Sequence, residues 1–391
     1  MNILHLTPYY APAYAFGGVT RAVEGMARAL VDRGHQVTVL TTDALNQHQR
    51  YEAVLDSRPI REGEVRVVVV HNFSVRLRGQ FNLSTPLGMG KIAADLLKNA
   101  DILHVHEFRT AENLLVTPVA ARLGVPIVLS PHGTLTLSTG RGALKSAWDR
   151  LLSPAVARRM GTVVGLTAQE ADEAHSAWKS FGLDPAPTRF EVVPNGVNAE
   201  EFADLRGKET FRERYGLGNA TVCLFMGRLH ARKGVEVLAR AFQQANVANA
   251  RLVIAGPDDG MLALLQTIKD DRIVITGYLD GQERLAALAA ADLFCLPATG
   301  EGLSMAALEA LAAGLPAILS PGCNLPEVAQ YGAGLIVEPQ VEPLAAALRA
   351  LLTDSDLRAR MGVAGRALVR ERFSWASVAA QLESIYQTTA R

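Results

Sequence analysis

A chain of 391 residues is too long for one compact core of ordinary size, so two domains of roughly 190 residues each are expected. Apolar residues make up 49% of it, enough for substantial cores, and 39 Lys and Arg balance 39 Asp and Glu, which argues against a generic nucleic-acid binder. Cys223, Cys295 and Cys323 are widely spaced with no CxxC pair, so neither a disulfide framework nor a zinc site is expected.

In chain order, MNILHLTPYY has neither a basic n-region nor a long apolar h-region and reads as a strand, not a signal peptide. No apolar run is long enough for a membrane span, and a reduced, cytoplasmic location is the default expectation. Short β-rich apolar runs then alternate with helical patterns, the signature of open parallel sheets wrapped by helices. The first half offers strands over 3–7, 36–40, 65–70, 102–105, 126–129, 163–166 and 190–193, with helices between most of them, such as 19–33 and 112–123.

Past the first strand, TPYYAPAYAFGGVTRAVEG places Gly17 and Gly18 ahead of a helix. Glycine there lets backbone approach a phosphate or sugar, although a simple turn explains the pair as well, and the dinucleotide fingerprint GxGxxG is missing. DILHVHEF puts His104, His106 and Glu107 at another strand end, a trio without further ligands at metal-site spacing, so no metal is expected. In LSPHGTLT, His132 follows a strand, where imidazole can meet a sugar hydroxyl or a phosphate oxygen, or cap the turn.

The segment 141–159 interleaves Arg141, Lys145, Arg150, Arg158 and Arg159 with Leu144, Trp148, Leu151 and Leu152. That pattern suits peripheral contact with anionic lipid, and it suits equally an ordinary half-buried helix shortened by Pro154. VVPNGVNAEEF turns after a strand at Pro194, Asn195 and Gly196, which sets the domain boundary at 197/198.

The second half repeats the scheme with strands over 222–226, 251–255, 273–276, 293–296, 317–319 and 335–337, helical segments over 341–372 and a final amphipathic helix over 373–387. Two doubly wound domains follow, and ligands of such sheets bind at the carboxyl ends of strands where strand order reverses, so the cleft between the domains is the expected site.

Two stretches of this half carry charge chemistry. TVCLFMG runs into GRLHARKG, which brings Arg228 and Lys233 just past a strand as a cradle for an anion. In LPATGEGLSMAALEALAAGLP, Pro297 and Gly300 break structure before Glu301, and a run of good helix formers carries Glu309. Two carboxylates so placed can accept from sugar hydroxyls while the helix-start amides hold an anion; a surface pair at a helix start is the plainer alternative.

Taken together, the Gly17 and Gly18 loop, PHGT, VPNGVN, GRLHARKG, ITGYL, the two-glutamate segment and GLPAILS resemble the retaining glycosyltransferases of family 4, with the GT-B fold of two Rossmann-like domains facing across a cleft. The resemblance implies an N-terminal acceptor-side domain, 1–197, to which the C-terminal helix 374–391 crosses back, and a nucleotide-sugar domain, 198–373. It implies hexosyl transfer from a nucleoside diphosphate sugar to a saccharide or lipid-linked saccharide in exopolysaccharide or cell-surface glycan synthesis, without metal or cofactor.

In residues, Arg228 and Lys233 would bind the donor diphosphate, Glu301 and the amides of Gly302, Leu303 and Ser304 the transferred sugar, and Glu309 the ribose. The backbone at Gly277 and Tyr278 would meet the base, His132 the sugar, and the Gly17 and Gly18 loop phosphate and acceptor. Where many relatives read EGFG this chain reads EGLS, so Leu303 and Ser304 reshape the wall beside the sugar. A nucleotide-sugar epimerase and a non-catalytic nucleotide-sugar-binding protein share the fold and remain as alternatives.

Overall fold

The computed structural model describes residues 1–51, 63–81, 83–135, 142–268, 270–279 and 281–390, so Arg141 lies outside the described residues. The chain divides into two units, Met1–Gly196 with Trp375–Arg391, and Val197–Ser374.

In the first unit, β1 (Asn2–Leu6), β2 (Gln36–Thr42), β3 (Arg66–Val70), β4 (Ile102–His106), β5 (Ile127–Ser130), β6 (Thr162–Gly165) and β7 (Arg189–Val192) form a parallel sheet in the order β3-β2-β1-β4-β5-β6-β7. The second unit holds β8 (Thr221–Met226), β9 (Ala250–Ala255), β10 (Ile273–Gly277), β11 (Leu293–Leu296), β12 (Ala317–Leu319) and β13 (Gly334–Ile336) in the order β10-β9-β8-β11-β12-β13, again parallel. Both sheets reverse direction of winding once, between β1 and β4 and between β8 and β11. Each reversal is a switch point, where open α/β sheets take their ligands.

The expected α/β class and every expected strand are present. Where 126 was expected to open a strand, β5 starts at Ile127: Pro126 has no N–H, and it contributes only its carbonyl, which accepts from the Leu103 N–H at 3.0 Å. The helical stretch expected over 341–372 is interrupted: Val341–Thr353 ends, and Asp354 caps Ser355–Leu368 by accepting from the Leu357 N–H at 2.8 Å.

Because strand side chains alternate, the first sheet has two different faces. Leu4, Leu6, Leu103, Val105 and Leu129 pack with Met89, Ala93, Val116 and Ala120 of two helices. On the other face, Ile3, Val39, Ile102 and Val128 meet Val23, Met26 and Leu30 of the helix Gly18–Asp32, and Val378, Leu382 and Tyr386 of the helix Trp375–Thr389. The C-terminal helix docks there through its first residue. A Cβ on Gly25 would stand 2.2 Å from the Trp375 ring and one on Gly196 2.7 Å from it, so that indole is admitted only because both positions are glycine.

The segment after the undescribed stretch 136–141 forms the helices Gly142–Leu151 and Ser153–Ala157, with Pro154 in the first turn of the second. Arg150 and Arg158 are exposed, as is Leu151 at 75%. Among the described residues no helix is long and apolar enough to cross a membrane.

Candidate active site

At the second switch point, the loops after β8 and β11 meet backbone to backbone. Gly234 has φ +68°, and a Cβ there would lie 2.1 Å from the Pro297 carbonyl oxygen. Thr299 N–H donates to the Arg232 carbonyl at 2.8 Å, and the Arg232 guanidinium donates to the Gly300 carbonyl at 2.9 Å. Glu301 is fixed on both sides of its main chain: its N–H donates to Gly322 O at 2.8 Å, and its carbonyl accepts from Asn324 Nδ2 at 2.7 Å.

The Glu301 carboxylate so placed meets the Lys233 ammonium at 2.5 Å, with the two side chains 15% and 19% exposed. Lys233 itself closes the 3-10 turn Ala231–Lys233, just ahead of the helix Val235–Ala245. Arg228 points elsewhere, to Asp259 at 2.8 Å, and is 68% exposed. Ser304 caps the helix Met305–Ala312 by accepting from the Ala307 N–H at 3.3 Å. The N–H groups of Gly302, Leu303 and Ser304 have no acceptor among the described residues.

Glu309 is buried rather than solvated. Arg284, from the helix Gly281–Ala290, pairs with it, with Glu201 at 2.8 Å, and lies 5.7 Å over the Phe202 ring. Gly277 ends β10 with φ +77°, where the register with β9 shifts, and Tyr278 beside it is 58% exposed. Of the residues expected at the donor site, the structure thus brings Lys233 and Glu301 into contact and joins Arg228 and Glu309 to Asp259 and Arg284, two partners that sequence reading missed.

The first switch point holds uncharged groups. His5 on β1 pairs in register with His104 on β4, and His106 lies two residues further on the same face. His5 Nδ1 is 2.8 Å from His106 Nε2, and His106 Nδ1 is 3.0 Å from His132 Nε2. His104 bonds instead to Tyr386 Oη at 2.6 Å and to Ser130 Oγ at 2.8 Å. Burial pushes His5 down to about 3 and His132 to about 4. Burial first, then the neighbouring histidines, hold His104 and His106 well below the usual range. All four rings are neutral at pH 7.

The trio expected to lack further ligands therefore has a neighbour: nitrogens of His5, His104 and His106 lie within 4.8 Å of one another. Their shown partners are each other, His132, Tyr386 and Ser130, which is the pattern of neutral hydrogen-bonded rings. Glu107, the next residue, has its carboxyl pushed up to about 7 by burial and then by Glu112.

The turn that carries His132 is clamped. Arg109 binds Asp149 at 2.8 and 2.7 Å and donates to the carbonyls of Thr134 and, at 3.0 Å, Leu135. Glu170 accepts from the Gly133 and Leu166 N–H groups. Gly17, with φ +105°, and Gly18 open the helix Gly18–Asp32.

Two doubly wound sheets, one with a lysine–glutamate pair at its switch point and amides there without an acceptor among the described residues, define an α/β protein of the ligand-binding, doubly wound class. The chain belongs to glycosyltransferase family 4: the family model Glycosyltransferase Family 4 matches residues 16–201, and that of Glycosyl transferases group 1 matches 207–368. It is a nucleotide-sugar glycosyltransferase of the GT-B fold.

A GDP-mannose-dependent monoacylated alpha-(1-6)-phosphatidylinositol monomannoside mannosyltransferase of Corynebacterium glutamicum is 31% identical over 315 residues, 76% of this chain and 80% of the relative. A phosphatidyl-myo-inositol mannosyltransferase of Mycolicibacterium smegmatis is 30% identical over 387 residues, 96% of this chain and 91% of that one. Among solved structures, Anabaena HepE in complex with UDP-glucose superposes with TM-score 0.73 at 18% identity, covering 99% of this chain and 100% of the other, a likeness of fold.

Proposed function

We propose that the protein moves a hexosyl group from a nucleoside diphosphate sugar to a hydroxyl of a saccharide or lipid-linked saccharide, keeping the anomeric configuration, in the synthesis of a cell-surface glycan. The observation that carries this reading is the Lys233–Glu301 pair, a partly buried cation whose carboxylate partner a diphosphate can replace. The diphosphate takes Lys233 and Arg228. Glu301 and the amides of Gly302, Leu303 and Ser304 hold the transferred sugar, Glu309 the ribose, and Gly277 and Tyr278 the base. His132 contacts the sugar, and the Gly17 and Gly18 loop receives phosphate and acceptor.

The acceptor oxygen bonds to C1 as the bond from C1 to the diphosphate breaks, and the acceptor proton passes to the leaving phosphate oxygen. Fixed cations and amides lower the barrier by stabilising charge on that leaving group. No metal or cofactor enters the reaction, since those groups carry the charge. Exposed Arg150, Leu151 and Arg158 support the reading of 141–159 as a peripheral contact with anionic lipid.

The two relatives described above are both named mannosyltransferases, which makes GDP-mannose the first donor to test. A thermal-shift panel of GDP-mannose, UDP-glucose and ADP-glucose should show one strong stabiliser by mass action. If none of them, nor any other nucleoside diphosphate sugar, raises the melting temperature, the reading fails. An NMR spectrum of the first product tests the stereochemistry, and an inverted anomer would exclude the proposed course.

A further inference from the structure

We infer that His5 and His106 are positioning residues that set the tautomer of His132, so that His132 presents an Nδ1–H donor at the carboxyl edge of the first sheet. The inference rests on the reading that His132 meets substrate.

A neutral imidazole carries one N–H and one lone pair, so a ring bonded through both nitrogens must give on one side and receive on the other. His106 is such a ring, with His5 Nδ1 on its Nε2 at 2.8 Å and His132 Nε2 on its Nδ1 at 3.0 Å. The ring centroids stand 5.1 Å apart for His5 and His106 and 5.2 Å apart for His106 and His132, the spacing that rings joined end to end by N–H···N bonds of these lengths have. His104 takes no part in this chain, because its nitrogens face Tyr386 and Ser130.

Only two directions remain. In one, His5 donates to His106 and His106 donates to His132, which leaves a bare lone pair on His5 Nε2 and an N–H on His132 Nδ1. The reverse direction leaves the N–H on His5 Nε2. Both end nitrogens are buried and without a partner among the described residues.

Their surroundings decide between the two. His5 is 0% exposed within β1, so an N–H stranded there stays unpaired. His132 Nδ1 is covered as well, but His132 as a residue is half-buried, in the turn beyond β5, and a substrate oxygen that meets it, as the reading above requires, would accept from an N–H there. Orphaned buried N–H groups are rarer than orphaned acceptors, so the chain runs from His5 outward. His132 is thereby a fixed donor suited to a sugar hydroxyl or phosphate oxygen, and it cannot act as a base through Nδ1.

The test is a long-range 1H–15N correlation on the full chain labelled with 15N-histidine at pH 7, which separates protonated from bare ring nitrogens. Spectra of His132→Ala and His106→Asn assign the signals. His132 and His106 should both be protonated on Nδ1 and bare on Nε2; protonation of His132 on Nε2 overturns the inference.

Turnover gives a second reading. His106→Leu should lose about 10-fold or more with the donor KM little changed, as for removed partners of ligating histidines. His106→Asn should stay within about 3-fold of the parent, because Asn Nδ2 occupies the place of His Nδ1 and keeps the donor. Equal losses in the two variants count against the relay. Full turnover in His132→Ala, with the Nδ1–H signal present in the parent protein, removes the substrate contact and leaves the tautomer assignment standing.

Discussion

Replacing Glu301 with Gln separates two effects that Lys233 combines. In the free protein the ammonium faces the Glu301 carboxylate at 2.5 Å, and under the proposed function a donor diphosphate competes with that carboxylate. At an effective dielectric near 20 the attraction between such charges is about 4 kcal/mol at 4 Å. Most of it is offset by desolvation, and a net of about 1 kcal/mol is a fair value for a pair still 15% to 19% exposed.

Glu301→Gln therefore should tighten nucleoside diphosphate binding by about 5-fold. It should lower turnover at the same time, because the sugar loses an acceptor. Lys233→Ala should do the opposite to binding, weakening the diphosphate, and should cut turnover by about 10²- to 10³-fold, the loss of one charge-stabilising donor. Titration calorimetry with GDP and UDP, run beside product assays, reads both effects. If Glu301→Gln weakened the nucleotide as much as Lys233→Ala, Glu301 would be holding the lysine in place, and the competition argument would be wrong.

Arg284→Leu takes one cation from the Glu309 carboxylate, whose side chain is 12% exposed, and should destabilise the second unit by about 1–2 kcal/mol, below the range for breaking fully buried pairs, with a lower urea midpoint as the readout. An unchanged midpoint would mean that the Arg284 contact adds nothing to stability. Acid should unfold the first unit below pH 4.5. His5 drops from its ordinary 6.5 to about 3 on folding, so the unfolded chain binds the extra proton, and at pH 4.5 this one group costs on the order of 3 kcal/mol. Glu107, raised to about 7, opposes that loss only between pH 7 and 4.5; a stability that stays flat from pH 4.5 to 3.5 would contradict the buried neutral histidines. Exhaustive EDTA treatment should leave turnover unchanged, whereas a loss reversed by Zn²⁺ alone would make His5, His104 and His106 ligands.

The strands were legible because parallel strands buried on both faces read as continuous apolar runs, such as VCLFM in β8 and LVIA in β9. The break at Asp354 was less so, since an Asp between two helical patterns marks a cap only once its carboxylate is seen on the Leu357 N–H. Lys233 and Glu301 were picked out separately, each from its own turn; that they touch depends on β8 and β11 being neighbours, which is a matter of strand order. The same holds for His5, which lies 99 residues before His104 and becomes its partner only through the register of β1 on β4. Arg284 and Asp259 carried no local signal, because each looks like an ordinary surface charge until the helix or loop opposite is in place. Arg109, just past β4, could have been found from its position at a strand end.

The two switch points differ in the charge of the groups they carry. Beyond β8 and β11 the groups are Lys233, Arg228, Glu301 and unpaired amides, a set that can exchange an internal carboxylate for an external dianion without leaving charge uncompensated. Beyond β1, β4 and β5 the imidazoles are kept neutral by burial, and their hydrogen bonds run to Tyr386, Ser130 and one another. A cation there would discriminate poorly among hydroxyls, which recognise donors by direction more than by charge. Neutral rings fixed in one tautomer give direction at little electrostatic expense. Each edge thus has its own chemistry: charge on the second sheet suits an anionic group, and neutral ring donors on the first suit hydroxyls.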